Sequence, residues 1–162
     1  VAPFAIKIKE SCFEGWRQLR FVYCPQLQEI EKSGFNVCEN LQVVQGDMLQ
    51  SIKSQAFYYS FNLTRINLDN VKVFELKSFY GTGLMSITNK TAEKLDHRTL
   101  SCSDSLQQIN FEKLNEIIDG SNFSKAKMLN LLRLPSLQQK EWEKLDVSKD
   151  DTDHPQQKIM SI

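Results

Sequence analysis

The chain holds 162 residues, 41% of them hydrophobic, and its 20 Lys plus Arg balance 20 Asp plus Glu. That length suits one core, since domains most often run to about 100–150 residues, and the balanced charge gives no whole-chain field to draw nucleic acid or an anionic membrane. No apolar run approaches the roughly 18 residues that a membrane-spanning helix needs.

Taken in order, Phe4, Ile6 and Ile8 alternate with Lys7 and Lys9, which predicts a short strand. From Ser11 the period lengthens: Cys12, Phe13, Trp16, Leu19 and Tyr23 fall at helical spacing and predict an amphipathic helix that stops at Pro25. Pro25 opens a short second helix with Leu27 and Ile30, ending at Gly34. Asn36 and Glu39 form a capping-box pattern ahead of Val37, Leu41, Val44, Met48 and Ile52, a third helical stripe. Gly46 interrupts that stripe at a cost of about 1 kcal/mol relative to Ala.

The stretch from Ala56 to Thr88 reads differently. Phe57, Tyr59, Phe61 and Leu63 alternate with Tyr58, Ser60, Asn62 and Thr64, which predicts a strand that buries one face. The phase slips at Thr64–Arg65, as a bulge would make it, because Ile66 and Leu68 then hold the apolar places. Asp69–Asn70 predicts a hairpin turn, Val71 to Tyr80 a central strand, and Gly81-Thr82-Gly83 a turn into Leu84 to Thr88. Beyond this meander, Asp104 and Gln107 cap a helix that ends at Gly120, Met128 to Leu134 reads as a helix apolar nearly all round, and Ser136 with Gln139 caps a last one carrying Leu137, Trp142 and Leu145. Residues 147–162 are polar and lack periodicity, which predicts a tail; its end, Met160-Ser161-Ile162, has the form of a ligand for a carboxylate-capturing groove.

Chemistry-bearing motifs are sparse. Gly81 and Gly83 lack the Gly-Lys-Ser/Thr and helix start of a phosphate loop, so a turn is the better reading. Cys102 and His97 carry the residue types of a nucleophilic pair but no motif, and His97 and His154 are too few for a transition-metal site. No cofactor is expected. Cys12 and Cys24 on one helix stand about 18 Å apart, beyond disulfide reach, which leaves Cys24 with Cys38 as the attractive local pair or all four cysteines, Cys102 included, as reduced core residues. Three sequons, at Asn62, Asn89 and Asn122, suit a secreted protein, whereas reduced cysteines favour an intracellular one.

Gln42-Val43-Val44-Gln45-Gly46 is similar to the Gln-x-Val-x-Gly loop of the cystatin protease inhibitors, which follows a long helix and precedes antiparallel strands. That resemblance implies inhibition of a protease, yet it spans five residues, and neither Trp16 nor Trp142 follows a proline as the second cystatin hairpin requires.

These readings predict one α+β domain over 1–146, an antiparallel meander of three or four strands with N- and C-terminal helices packed on one face. They predict a non-enzymatic interaction module, a subunit or adaptor of a larger complex, that binds another protein or forms an oligomer. Its contacts are expected on the free sheet face at Tyr58, Lys72 and Val73 and on the apolar C-terminal helix at Met128, Leu131 and Leu132. The alternative is a secreted, disulfide-linked glycoprotein that binds a receptor or a small apolar ligand.

Overall fold

The computed structural model describes residues 3–118 and 120–145. The polar stretch 147–162, with His154 and the Met160–Ile162 end, lies outside the described residues.

What repeats in this chain is a coil of 22 residues. Phe13, Phe35, Phe57 and Phe79 are successive rungs of one ladder, their rings stacked in parallel planes with centroids 5.1–5.4 Å apart. The backbone follows the same step: the amide N–H groups of Phe13, Phe35, Phe57 and Phe79 donate to the carbonyls of Gly34, Ala56, Ser78 and Thr99 in the next coil, at 2.8–2.9 Å. A chain that hydrogen-bonds its next coil rather than its own turn is a solenoid, and each coil finds its core only by stacking on a neighbour.

Twelve short strands among the described residues run in chain order: β1 (Lys7–Ile8), β2 (Phe21–Tyr23), β3 (Glu29–Ile30), β4 (Val43–Gln45), β5 (Ser51–Ile52), β6 (Arg65–Ile66), β7 (Val73–Phe74), β8 (Ser86–Asn89), β9 (Lys94–Leu95), β10 (Gln108–Phe111), β11 (Glu116–Ile117) and β12 (Leu131–Arg133). They form rows. One comprises β1-β3-β5-β7, with β9 and β11 paired beyond it; the other comprises β2-β4-β6 and then β8-β10-β12. Every pairing is parallel, and Lys7, Glu29, Ser51 and Val73 are partners at a constant step of 22. From Gln108 to Leu131 the step is 23. A 3-10 turn at Gly120–Phe123 and a four-residue helix, α1 (Gln139–Trp142), complete the order.

The core is the same in each coil. In the second, Leu27, Ile30, Phe35, Cys38, Leu41 and Val44 turn inward; the third repeats this with Leu49, Ile52, Phe57, Ser60 and Leu63. Their spacing of three comes from short sides separated by tight corners. The C-terminal end is covered by α1, where the buried Glu141 accepts a hydrogen bond from the Ile117 N–H.

The α+β reading is therefore overturned. The first and third predicted helices are turns and strands: Asn36 does not cap a helix but donates to Glu14 across the coils at 2.6 Å, and Glu39 pairs with Arg17 at 3.2 Å. Inward residues three apart imitate one helical face, which is why the pattern misleads. The meander is absent because consecutive strands enter different rows. Asp69–Asn70 does turn the chain, but from β6 into β7 rather than back along β6. No bulge is needed at Thr64–Arg65, since Leu63 ends one corner and Arg65 begins a strand. Met128 to Leu134 contains β12 rather than a helix, and of the predicted helices only the last has a helical counterpart, in α1. The pentamer 42–46 is not a loop: Val43–Gln45 is β4, paired on both sides, and a Cβ on Gly46 would stand 2.4 Å from the Cys24 carbonyl oxygen.

Two of the three sequons are structural. Asn89 and Asn122 are fully buried, and the Asn89 amide donates to the carbonyls of Leu68 and Val71 while its oxygen accepts from the N–H groups of Thr91 and Ala92. Asn62 alone is exposed. Cys38 is a thiol that donates to the Phe13 carbonyl, so the Cys24–Cys38 disulfide of the alternative reading is not formed. Burial pushes the Cys38 thiol up to about 11 from an ordinary 9.0. Because the folded state holds the neutral thiol more firmly than the unfolded chain does, its contribution is complete below about pH 9 and is lost as pH rises towards about 11. Cys38→Ala is expected to flatten that alkaline decline in urea denaturation.

Five successive coils carry corner residues at positive φ, four positions apart: Ser11 and Gly15, Ser33 and Val37, Gln55 and Tyr59, Lys77 and Gly81, Arg98 and Cys102; the next has Lys125 alone. The second position is glycine in the first and fourth coils and the β-branched Val37, φ 55°, in the second. A left-handed β-branched residue costs of order 1–3 kcal/mol. Val37→Gly is accordingly expected to stabilise the fold by about 1 kcal/mol in urea denaturation, after offsetting the extra freedom glycine gains when unfolded.

Candidate functional site

The corners place side chains outside the core in register from coil to coil. Glu14, Asn36, Tyr58 and Tyr80 occupy one such column. At its N-terminal end the rungs are polar; in the third and fourth coils they are aromatic, and the Tyr58 and Tyr80 rings stack at 5.1 Å. The neighbouring column adds Tyr59, 4.3 Å from Tyr58 and edge-on to Tyr80 at 5.5 Å, and Phe61 stacks on Tyr59 at 5.3 Å. These four rings form a continuous cluster on the outside of the solenoid. Phe61 is 53% exposed and the three tyrosines are half-buried.

Glycine makes room for it. Gly81, at φ 68°, lies in the coil after Tyr59, and a Cβ there would stand 2.7 Å from Tyr59 Cδ1. Tyr59 itself is held at φ 55°, a conformation that costs energy for any non-glycine residue and aims its ring along the edge. Lys77 lies over both stacked rings, its Nζ 5.9 Å from the Tyr58 centroid and 5.8 Å from that of Tyr80, an attraction worth about 0.5–1 kcal/mol at an exposed site. The Cys102 thiol donates to the Tyr80 hydroxyl at 2.9 Å. That contact, with burial, holds the Tyr80 hydroxyl well above its ordinary value, and burial with the neighbouring Tyr59 raises Tyr58. Both phenols stay neutral through the physiological range, so Lys77 supplies the charge at the stacked pair.

The six residues expected to contact a partner do not come together. Tyr58 belongs to the aromatic cluster. Lys72 and Val73 are exposed on the β1-β3-β5-β7 row, Val73 at 41%. Met128 is exposed at a corner and Leu131 is half-buried in β12, while Leu132 is 2% exposed and faces the core. The antiparallel sheet face expected to carry Tyr58, Lys72 and Val73 and the apolar helix expected to carry Met128, Leu131 and Leu132 are not formed. The rest of the aromatic cluster was not singled out in the sequence, where alternation placed Tyr59 and Phe61 on the buried face with Phe57 and Leu63. The 22-residue step, which sets Tyr58 beside Tyr80 and Tyr59 beside glycine, is the signal that finds them.

The fold defines a class: a parallel repeat solenoid that presents outward side chains in register on stacked coils. The model of the BspA type leucine-rich repeat region matches residues 6–139 in six copies, and the chain belongs to this family. No curated protein and no solved structure matches the chain. Repeats of this type are commonly protein-interaction modules and are generally non-catalytic. No helix among the described residues is long and apolar enough to cross a membrane.

Proposed function

We propose that this chain is a non-enzymatic binding module, an adaptor or subunit of a larger complex, that holds a partner protein on the edge formed by Tyr58, Tyr59, Phe61 and Tyr80. The observation that carries this reading is the four-ring cluster on the outside of the solenoid, with Phe61 exposed and the three tyrosines half-buried. Aromatic side chains outside a core supply large, rigid contact area at low entropic cost and are enriched at the centres of protein interfaces. The family's common role in protein interaction supports the same reading.

A photo-crosslinking amino acid at position 61 is expected to capture the partner from a lysate, and one at position 72, on another row, to capture much less. Tyr58→Ala with Phe61→Ala should lower that partner's affinity by at least about 30-fold, roughly 2 kcal/mol, as truncation of interface anchors does. Capture that is equal from both positions, or unmoved by the double truncation, overturns the reading.

A further inference from the structure

Several cations of this solenoid pair with a carboxylate of a neighbouring rung. Lys7 pairs with Glu29 and Glu31, Lys53 with Glu75, Lys90 with Asp69 and Lys94 with Glu116, at 2.7–3.2 Å. Two cations without such a partner lie at the aromatic edge. Lys77 and Arg98 are consecutive rungs of one corner column, both at positive φ, and among the described residues no carboxylate pairs with either. The nearest carboxylates in sequence are already engaged: Glu75 by Lys53 and the Ser54 N–H, and Asp96 by the His97 N–H. Lys77 meets the faces of Tyr58 and Tyr80 instead, which fixes a cation beside the rings without cancelling its charge. A cluster of neutral rings with Lys77 over two of them and Arg98 on the next rung of the Lys77 column complements an acidic ligand.

Resting on the reading of this edge as a protein-binding site, we infer that it takes an acidic linear segment of the partner, whose apolar or aromatic side chains stack on Tyr58, Tyr80 and Phe61 while its carboxylates meet Lys77 and Arg98. Complementary charge of this kind sets partner choice and association rate more than total affinity. The binding is therefore expected to weaken with added salt.

A random dodecapeptide display library, selected on the folded full chain, tests this. Enriched sequences should combine Asp or Glu with Tyr, Phe, Trp or Pro. A synthetic peptide of the enriched composition should lose about tenfold or more in affinity for Lys77→Glu/Arg98→Glu, and that double variant should select Lys- or Arg-bearing sequences instead. Urea denaturation of the same variant, expected to keep one cooperative transition at a midpoint slightly below the parent's because the Lys77 ring contact is lost, separates lost recognition from lost folding. Enriched peptides that depend on Phe61 and Tyr58 but carry no acidic bias, or that are indifferent to charge reversal, overturn the acidic assignment and leave the interaction reading standing. Peptides indifferent to Tyr58→Ala/Phe61→Ala, or no enrichment at all, overturn both.

Discussion

Phe57→Ala is expected to cost about 3–5 kcal/mol in urea denaturation, the range for emptying a fully buried aromatic site. Phe57 is 0% exposed and is stacked between Phe35 at 5.4 Å and Phe79 at 5.1 Å, so its loss leaves a gap in the core where three coils meet. In a solenoid the stability is a sum of coils and of interfaces between neighbours, and this substitution weakens two interfaces at once. A rise in the population of half-unfolded molecules, seen as non-coincident transitions by fluorescence and circular dichroism, is expected with it. Phe61→Ala, four residues on and 53% exposed, is the internal comparison and should stay within about 0.5 kcal/mol of the parent. Equal effects at the two positions contradict the ladder.

Asn89→Ala is expected to cost about 3 kcal/mol or more. Its side chain satisfies four backbone groups, two carbonyls of the preceding turn at 2.6 and 2.7 Å and two N–H groups of its own at 3.0 and 2.7 Å, all in a fully buried position. Removing one partner of a buried hydrogen bond costs about 1–3 kcal/mol, because the orphaned group has no water to turn to. Asn89→Asp sharpens the test. The carboxylate still accepts from Thr91 and Ala92 but sets an oxygen against the carbonyls of Leu68 and Val71, so little of the loss should be recovered. Asn62→Ala removes one exposed hydrogen bond, to the Glu39 carbonyl, and should be nearly neutral. The same geometry bears on glycosylation, since a glycan at Asn89 or Asn122 has no room in the core whereas Asn62 is exposed.

Much of the core was legible in the sequence as a set of residues. Leu41, Val44, Ile52, Phe57 and Leu63 were assigned inward and are buried, whereas Met48 and Phe61, assigned to the same faces, are exposed. Their arrangement was not legible from local periodicity. A side of three residues followed by a corner puts inward residues at the i, i+3 spacing of a helix, and a two-residue strand is too short to show alternation, so helix and meander each matched part of the pattern. The long-range step separates them. A helix repeats every 3.6 residues and a hairpin reverses, but neither returns a phenylalanine at 13, 35, 57 and 79. The site shows the same division. Tyr58 stood out through its exposure on an alternating strand, whereas Tyr80, Lys77 and Arg98 acquire meaning only once equivalent rungs are aligned. The positive φ at Tyr59, Lys77 and Arg98 had no signal at all, because glycine marks that conformation in only some coils.

The parallel, in-register step of 22 residues underlies every statement about the edge, because it alone brings Tyr58 and Tyr80 together. A disulfide tests it most directly. Ser51 and Val73 are partners on β5 and β7, half-buried and exposed respectively, and adjacent strands lie about 4.8 Å apart, within the Cα range a disulfide spans. In a background without Cys12, Ser51→Cys/Val73→Cys is expected to oxidise under air to an intramolecular disulfide that joins those two positions in a peptide map, while Ser51→Cys/Glu75→Cys, two residues out of register, should remain reduced. A Ser51→Cys/Val73→Cys protein that stays reduced, or one that oxidises no faster than the out-of-register pair, contradicts the solenoid and the aromatic edge built on it.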